Sequence, residues 1–317
     1  VIKMDMYQKR KIRAEKKNND SQKSFPSVGI NWYPGHMLKT KKQIIEDLKL
    51  IDVIVEILDA RIPVASQNPD IKQITQNKKK VIILNKSDLA DEKETIKWVE
   101  YLKSQGITAI PTDSNLGKGT KETLKAIYDK VKQEMEKAAS KGRINKNIRI
   151  MIVGIPNVGK SSFINRIINK KSAEVGNKPG VTKQKQWLRI SNNIELLDTP
   201  GVLWPKFESK DVAYKLAYVG AIKDELINKD EIAYNLLNFL EVNNKNELFE
   251  RYKLTESEIN SIIPKEDKIL EIMNIIARKR GAIVSGGEID YEKVSSLILN
   301  DFRTGKIGRI TLEKVNG

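Results

Sequence analysis

Residues 154–161, Gly-Ile-Pro-Asn-Val-Gly-Lys-Ser, match the pattern G-x-x-x-x-G-K-[ST] and stand directly behind an apolar, β-branched run at 148–153. That juxtaposition leaves few folds open. The glycines let the backbone wrap so that several N–H groups face one phosphate. Lys160 brings a positive charge to the outer phosphates, and the Ser161 hydroxyl can hold Mg²⁺. A helix expected over 161–169 aims the positive end of its dipole at the same charge. A Gly-rich turn without function is the alternative; the strand before it and the helical pattern after it weigh against that.

The surrounding sequence repeats the strand-then-helix theme. Apolar runs at 51–58, 81–84, 107–110, 148–153 and 194–197 suit strands buried on both faces. Helical spacing occupies 38–50, 92–104, 121–139 and 161–169. Alternating strands and helices predict an α/β fold: a doubly wound, mainly parallel sheet joined by right-handed connections. A length of 317 residues allows about two domains. After Pro205 the strand-like runs stop, and 222–228, 231–240 and 269–280 carry helical patterns. The expected organisation is a tail over 1–28, an α/β domain over 29–205 and a small all-α domain over 206–317. The tail is rich in Lys, Arg, Asn, Asp and Ser and has too few apolar side chains to order itself, although 7–17 can become helical on an anionic partner. Residues 137–147 form a polar connector inside the α/β region.

Charge and composition narrow the partners. Lys plus Arg number 57 against 41 Asp plus Glu, a formal net charge of +16. Such an excess favours a polyanion, RNA or an anionic membrane, unless it only follows a Lys-rich proteome. With no cysteine there is no disulfide, thiolate zinc site or thiol nucleophile. No apolar run approaches the roughly 20 residues that span a bilayer, and no secretory apolar region opens the chain. A soluble, cytoplasmic protein is expected.

Two further motifs stand at strand ends. Asp198-Thr199-Pro200-Gly201 follows the run at 194–197. A carboxylate there can hold Mg²⁺ through water, and the Gly201 N–H can meet a γ-phosphate; in isolation the string is an ordinary turn. Asn85-Lys86-Ser87-Asp88 follows the run at 81–84. The Asp88 carboxylate can accept from both N1–H and the 2-amino group of guanine, and Lys86 can pack its stem over the base. Adenine lacks those donors and would leave a buried carboxylate unpaired.

With these residues in place the chain resembles a translation-factor-class GTPase. Thr112-Asp113-Ser114 resembles that class's fifth motif, and Thr182, in Lys178-Pro179-Gly180-Val181-Thr182, stands where its switch-I threonine binds Mg²⁺. The implied nucleotide contacts are Asn85, Lys86, Ser87 and Asp88; Asp113 and Ser114; Asn157, Val158, Gly159, Lys160, Ser161 and Ser162; and Thr182 and Gly201. Mg²⁺ would be held by Ser161, Thr182 and Asp198. The order is unusual, because N-K-x-D precedes the P-loop: the sheet is circularly permuted. That order, together with Trp32-Tyr33-Pro34-Gly35-His36-Met37, Asp59-Ala60-Arg61-Ile62-Pro63 and Leu203-Trp204-Pro205-Lys206-Phe207, resembles the bacterial ribosome biogenesis GTPase A (YlqF) family over residues 30–317. The stretch before residue 29 departs from it. The resemblance implies a monomeric GTPase, not membrane-bound, that binds GTP/GDP, Mg²⁺ and K⁺. It implies binding to the immature large (50S) ribosomal subunit and its rRNA, promotion of late assembly, hydrolysis stimulated by the particle, and release on hydrolysis.

Catalysis needs a group outside the usual position. Many GTPases place a water-orienting Gln directly after D-x-x-G; here Val202 and Leu203 stand there. The resemblance implies that His36, the single histidine, is the catalytic residue; a structural or surface histidine is the alternative. It also implies that Asn157 helps hold K⁺, against a merely loop-shaping Asn. Asp59 and Arg61 read best as an ion pair bracing a loop, with an RNA or switch contact as runner-up. Switch II, 198–203, runs straight into the helical region, so a γ-phosphate can bias that region's placement. Arg278, Lys279, Arg280, Arg303, Lys306 and Arg309 suit phosphate contacts on RNA, against a merely solvated basic face. Two rivals remain: an ATP-dependent kinase or transferase, which has no use for Asn85-Lys86-Ser87-Asp88, and a nucleotide-regulated RNA-binding switch with little turnover.

Overall fold

The computed structural model describes residues 35–141, 147–169, 187–191, 193–197, 207, 209–260 and 268–315. The tail at 1–28, Trp32 to Pro34, and the sites expected at Thr182, Asp198, Gly201, Val202 and Leu203 lie outside the described residues. The chain divides into two compact units, 33–204 with 309–317 and 205–308 with 1–32.

The first unit is built on a six-stranded sheet. In chain order its described elements are α1 (Gly35–Asp47) with a 3-10 turn (Leu48–Leu50), β1 (Val53–Asp59), α2 (Pro69–Ile74), β2 (Lys79–Asn85), α3 (Glu92–Ser104), β3 (Thr108–Thr112), α4 (Thr120–Ser140), β4 (Ile148–Gly154), α5 (Lys160–Asn169), β5 (Trp187–Ser191) and β6 (Ile194–Leu197). The strand order is β3-β2-β1-β4-β6-β5. All neighbours are parallel except the β5–β6 pair. Every residue of β1 is buried, as expected for a central strand covered on both faces. Its one charged interior residue, Glu56, is satisfied by Lys80 of β2 at 2.8 Å.

The register brings the strand ends into one row. Asp59 pairs with Asn85, and Asn85 with Thr112; Ile57 pairs with Gly154 on the other side. The residues that follow β1, β2, β3 and β4 therefore emerge side by side at the carboxyl edge of the parallel strands, where open α/β sheets bind ligands. On one face Leu58, Leu84, Trp98, Leu102 and Ala109 pack as a cluster that clamps α3 to the sheet.

Two elements here escaped the sequence pattern. β5 is an antiparallel edge strand whose Trp-Leu-Arg-Ile-Ser lacks the continuous apolar run of its neighbours. α2 has only six residues; Pro69 at its start and the Asn68 side chain, which accepts from the Asp70 and Ile71 amides, define it.

The second unit is helical: α6 (Lys210–Tyr218), a 3-10 turn (Asp224–Leu226), α7 (Lys229–Asn243), α8 (Lys245–Tyr252), α9 (Glu256–Asn260), α10 (Lys268–Arg280) and α11 (Tyr291–Arg303). α7 presents Ile232, Leu236, Leu237 and Leu240, fully buried, and α11 presents Val294, Ile298 and Leu299. The helix expected over 222–228 reduces to the single 3-10 turn. Asn228 is the N-cap of α7 and Ile227 is extended, so the chain must leave helical geometry just where the pattern suggested it continued. Residues 309–315, placed in the expected 206–317 range, group with the α/β unit.

Candidate functional site

The strand-end row brings together three of the predicted motifs: N-K-S-D, the P-loop and the loop after β3. Asn85 closes β2, and its side chain ties three loops together. Its Nδ2 donates to the Val158 carbonyl of the P-loop at 2.7 Å. Its Oδ1 accepts from the Ser114 amide at 3.2 Å and the Ser114 hydroxyl at 2.6 Å. One 2%-exposed asparagine thus joins N-K-S-D, the P-loop and the loop after β3. Gly159 is the residue this closeness demands: its φ is +99°, and a Cβ there would collide with the Asn85 amide.

In the P-loop, Lys160 opens α5 and is nearly buried. Its Nζ lies across the loop, donating to the Gly154 carbonyl at 3.2 Å and the Ile155 carbonyl at 3.0 Å. Val158 has its side chain buried, so only its backbone can face a ligand. Asn157 is exposed with φ +56°, a left-handed conformation that asparagine tolerates. Ser161 and Ser162 are exposed in the first turn of α5.

Around the N-K-S-D loop, Lys86 also has positive φ, +58°. Its Nζ meets Asp59 Oδ2 at 3.1 Å. Asp59 in turn receives Arg61 through two bonds, Nε at 2.9 Å and Nη2 at 2.8 Å, plus the Arg61 amide at 3.1 Å. Burial would push the Asp59 carboxyl up, but the charges of Arg61 and Lys86 and the Arg61 hydrogen bonds outweigh it and hold it below the usual carboxylate range. Arg61 is 1% exposed, so the Asp59–Arg61 pair is a buried ion pair that braces the loop after β1. For Asp88, burial pushes the carboxyl up, aided by the nearby Asp113 charge and opposed by a backbone hydrogen bond and by Arg61 and Arg309.

Asp113 faces its own loop. Its carboxylate accepts from the Asn115 amide at 2.8 Å and the Leu116 amide at 3.1 Å, shaping the turn that presents Ser114. Leu116 is 77% exposed, and its carbonyl accepts from Arg166 of α5. Beside Asp88 opens a cavity of about 320 Å³ whose walls include Asp113, Leu116, Lys118 and Arg309.

His36 lies in the first turn of α1; its side chain is not among the described residues. The six cations read as a phosphate-contacting set are divided. Arg303 forks onto Asp224 at 2.8 and 3.0 Å and also donates to the Ala217 and Tyr218 carbonyls. Arg309 belongs to the α/β unit. Lys279 bonds Glu258 at 2.9 Å, and Arg280 bonds the Arg251 carbonyl. Arg278 pairs with Glu271 at 3.2 Å and Lys306 lies 3.8 Å from Asp301, with side chains 59% and 52% exposed.

The sequence reading missed the segment 309–315. It carries a period-two pattern, with Ile310 and Leu312 as the apolar members. That is a strand-like signal in a region read as helical.

A parallel sheet with the P-loop after β4, the N-K-S-D loop after β2 and the fifth-motif loop after β3, in that permuted chain order, defines a circularly permuted P-loop GTPase. A family model described as a 50S ribosome-binding GTPase matches residues 149–275. Ribosome biogenesis GTPase A of Priestia megaterium is 45% identical over 285 residues, covering 90% of this chain and 96% of the relative. The protein of that name from Thermotoga maritima is 36% identical, covering 90% and 94%. Among solved structures, GNP-bound YlqF from T. maritima matches with a TM-score of 0.59 at 32% identity, covering 87% of this chain and 98% of that one. The chain belongs to the ribosome biogenesis GTPase A family.

Proposed function

We propose that this chain binds GTP at the strand-end row, docks in that form on the immature large (50S) ribosomal subunit, promotes its late assembly, and leaves when the nucleotide is hydrolysed. The observation that carries the nucleotide half is Asn85, whose side chain fixes the base-reading loop, the phosphate loop and the fifth-motif loop to one another. The ribosomal half rests on the names of the relatives.

The roles follow from chemistry. Asp88 accepts from guanine N1–H and the 2-amino group, Lys86 covers one face of the base, and Ser114 with Asp113 holds the turn beneath it. The amides of 157–162 face the phosphates, and Lys160 turns from the Gly154 and Ile155 carbonyls to the outer phosphate oxygens. Ser161, an exposed hydroxyl at the head of α5, is the hard oxygen donor that Mg²⁺ takes; Thr182 and Asp198 complete that set, and Gly201 meets the γ-phosphate. Mg²⁺ bound there neutralises charge on the β- and γ-phosphates. Asn157, exposed on the loop, offers its amide oxygen to K⁺. His36 orients the water that attacks the γ-phosphorus, because Val202 cannot. No strong base is required, since phosphoryl transfer depends on positioning and electrostatics. Arg278 and Lys306 reach rRNA phosphates.

The test is GTP turnover in KCl and in NaCl, with and without large-subunit precursors, for wild type and His36→Ala. Stimulation by precursors that needs KCl and disappears in the variant is expected. Stimulation that survives in His36→Ala discards His36 and keeps the rest. Tight GTP binding with no stimulation by any subunit overturns the proposal in favour of a switch with little turnover.

A further inference from the structure

The loop that carries Asp88 is not held by its own secondary structure. Between the end of β2 and the start of α3, the backbone of 87–91 must turn sharply at the sheet edge, and buried backbone groups there need partners. The Ser87 N–H bonds the Thr112 carbonyl and the Leu89 N–H closes a turn on the Lys86 carbonyl; the carbonyls of Ser87, Leu89 and Ala90 and the Asp91 N–H find theirs in residues 309–311. The Arg309 guanidinium donates through Nη2 to the Ser87 carbonyl at 3.1 Å and through Nε to the Ala90 carbonyl at 2.8 Å, while Nη1 reaches Glu92 Oε2 at 3.2 Å. The Ile310 amide donates to the Leu89 carbonyl at 3.0 Å. The Asp91 amide donates to the Thr311 hydroxyl at 3.0 Å. Three successive residues of the segment thus partner Ser87, Leu89, Ala90 and Asp91, on both sides of Asp88.

The same segment continues into the loop after β1. The Leu312 amide donates to the Arg61 carbonyl at 2.8 Å. The Glu313 carboxylate accepts from the Val64 amide at 2.6 Å and the Ala65 amide at 3.1 Å, and the Glu313 carbonyl accepts from the Trp98 indole at 2.9 Å. Ile310, Thr311, Leu312 and Glu313 are all buried. The segment is therefore a built part of the α/β unit, supplied by the far end of the chain.

We infer that 309–315 is a positioning strap for guanine recognition, and that Arg309 sets base selectivity by fixing the loop that presents Asp88. This rests on the assignment of Asp88 to guanine made above. Arg309 acts through the carbonyls of Ser87 and Ala90. A carboxylate that accepts two hydrogen bonds from one base edge must be placed closely in both distance and angle, because hydrogen bonds weaken steeply off-axis. Loosening the loop costs the second of those bonds first.

The experiment uses the full chain and displacement of a fluorescent GDP analogue by GDP, by inosine diphosphate, which lacks the 2-amino donor, and by ADP. Melting temperature is measured alongside. In Arg309→Ala, GDP affinity should fall about tenfold, the scale of a lost charge-assisted hydrogen bond, while inosine diphosphate loses less, so that the GDP-to-IDP ratio shrinks. A purely stabilising strap lowers the melting temperature and leaves that ratio at the wild-type value, which overturns the inference. Arg309→Met keeps an unbranched stem and has no donor; if the alanine variant does not fold, an unchanged ratio in the methionine variant overturns the inference equally. A wild type with no preference for GDP over ADP overturns the guanine assignment itself. A wild type that prefers GDP, with variants that match it, overturns only the strap.

Discussion

Lys86 Nζ lies 3.1 Å from Asp59 Oδ2, so the lysine of the N-K-S-D motif is anchored by a carboxylate at the end of the neighbouring strand. Asp59 and Asn85 are register partners, and the motif's first two residues are therefore held by different strands through different chemistry. Asn85 is fixed by neutral hydrogen bonds to two loops and Lys86 by a buried charge. Replacing Asp59 by Asn leaves Arg61 buried beside a neutral amide, a change that typically costs about 3–5 kcal/mol. Thermal unfolding should show the loss.

Acid titration should separate the two carboxylates. Asp59 is depressed in the folded state, so its contribution to stability is present above the ordinary Asp range and is lost only as pH falls through its lower, folded value. Asp88 is shifted the other way. It must be ionised to accept from guanine, so GDP affinity should decline as pH falls through that raised value, while the fold is still intact. GDP binding and melting temperature measured across the acid range check this; parallel losses would contradict it.

Gly159→Ala combines a strained φ of +99° with a Cβ placed on the Asn85 amide. The backbone strain alone is worth about 1–3 kcal/mol, and moving Asn85 releases its bonds to Val158 and Ser114. The variant should lose both thermal stability and GDP affinity, whereas Gly106→Ala, where a Cβ meets nothing within 4 Å, should leave GDP affinity unchanged. Calorimetric titration of the two variants distinguishes these outcomes.

Trp98→Ala removes an α3 ring from the cluster with Leu58, Leu84 and Leu102 and also deprives the Glu313 carbonyl of its indole donor. Truncating a buried Trp costs about 3–5 kcal/mol, whereas Trp98→Phe keeps part of the packing and loses the N–H. The gap between their melting temperatures measures how much of the strap's seat is packing.

The sheet was legible because the central parallel strands β1, β2 and β4 are apolar, β-branched runs that are largely buried, and the P-loop and N-K-S-D motifs fall at their ends. Permutation was legible from motif order alone. β5 and α2 were not, since an edge strand needs no apolar run and a six-residue helix depends on the caps Asn68 and Pro69. The strap could not be assigned from sequence because its partners at Arg61, Ser87 and Ala90 lie more than 200 residues away. Arg303 and Arg309 read alike in sequence as phosphate-contacting cations, yet each is directed at backbone carbonyls that only the folded chain brings near.

The central claim is that Asp88 reads guanine, and Asp88→Asn tests it most directly by titration with GDP and xanthosine diphosphate. Xanthine carries a carbonyl where guanine carries the 2-amino group, so an amide at position 88 can donate where a carboxylate can only accept. GDP binding should fall by at least about 100-fold, the effect of leaving buried polar groups mispaired, while xanthosine diphosphate should bind the variant better than the wild type. Unchanged GDP affinity in Asp88→Asn would contradict it.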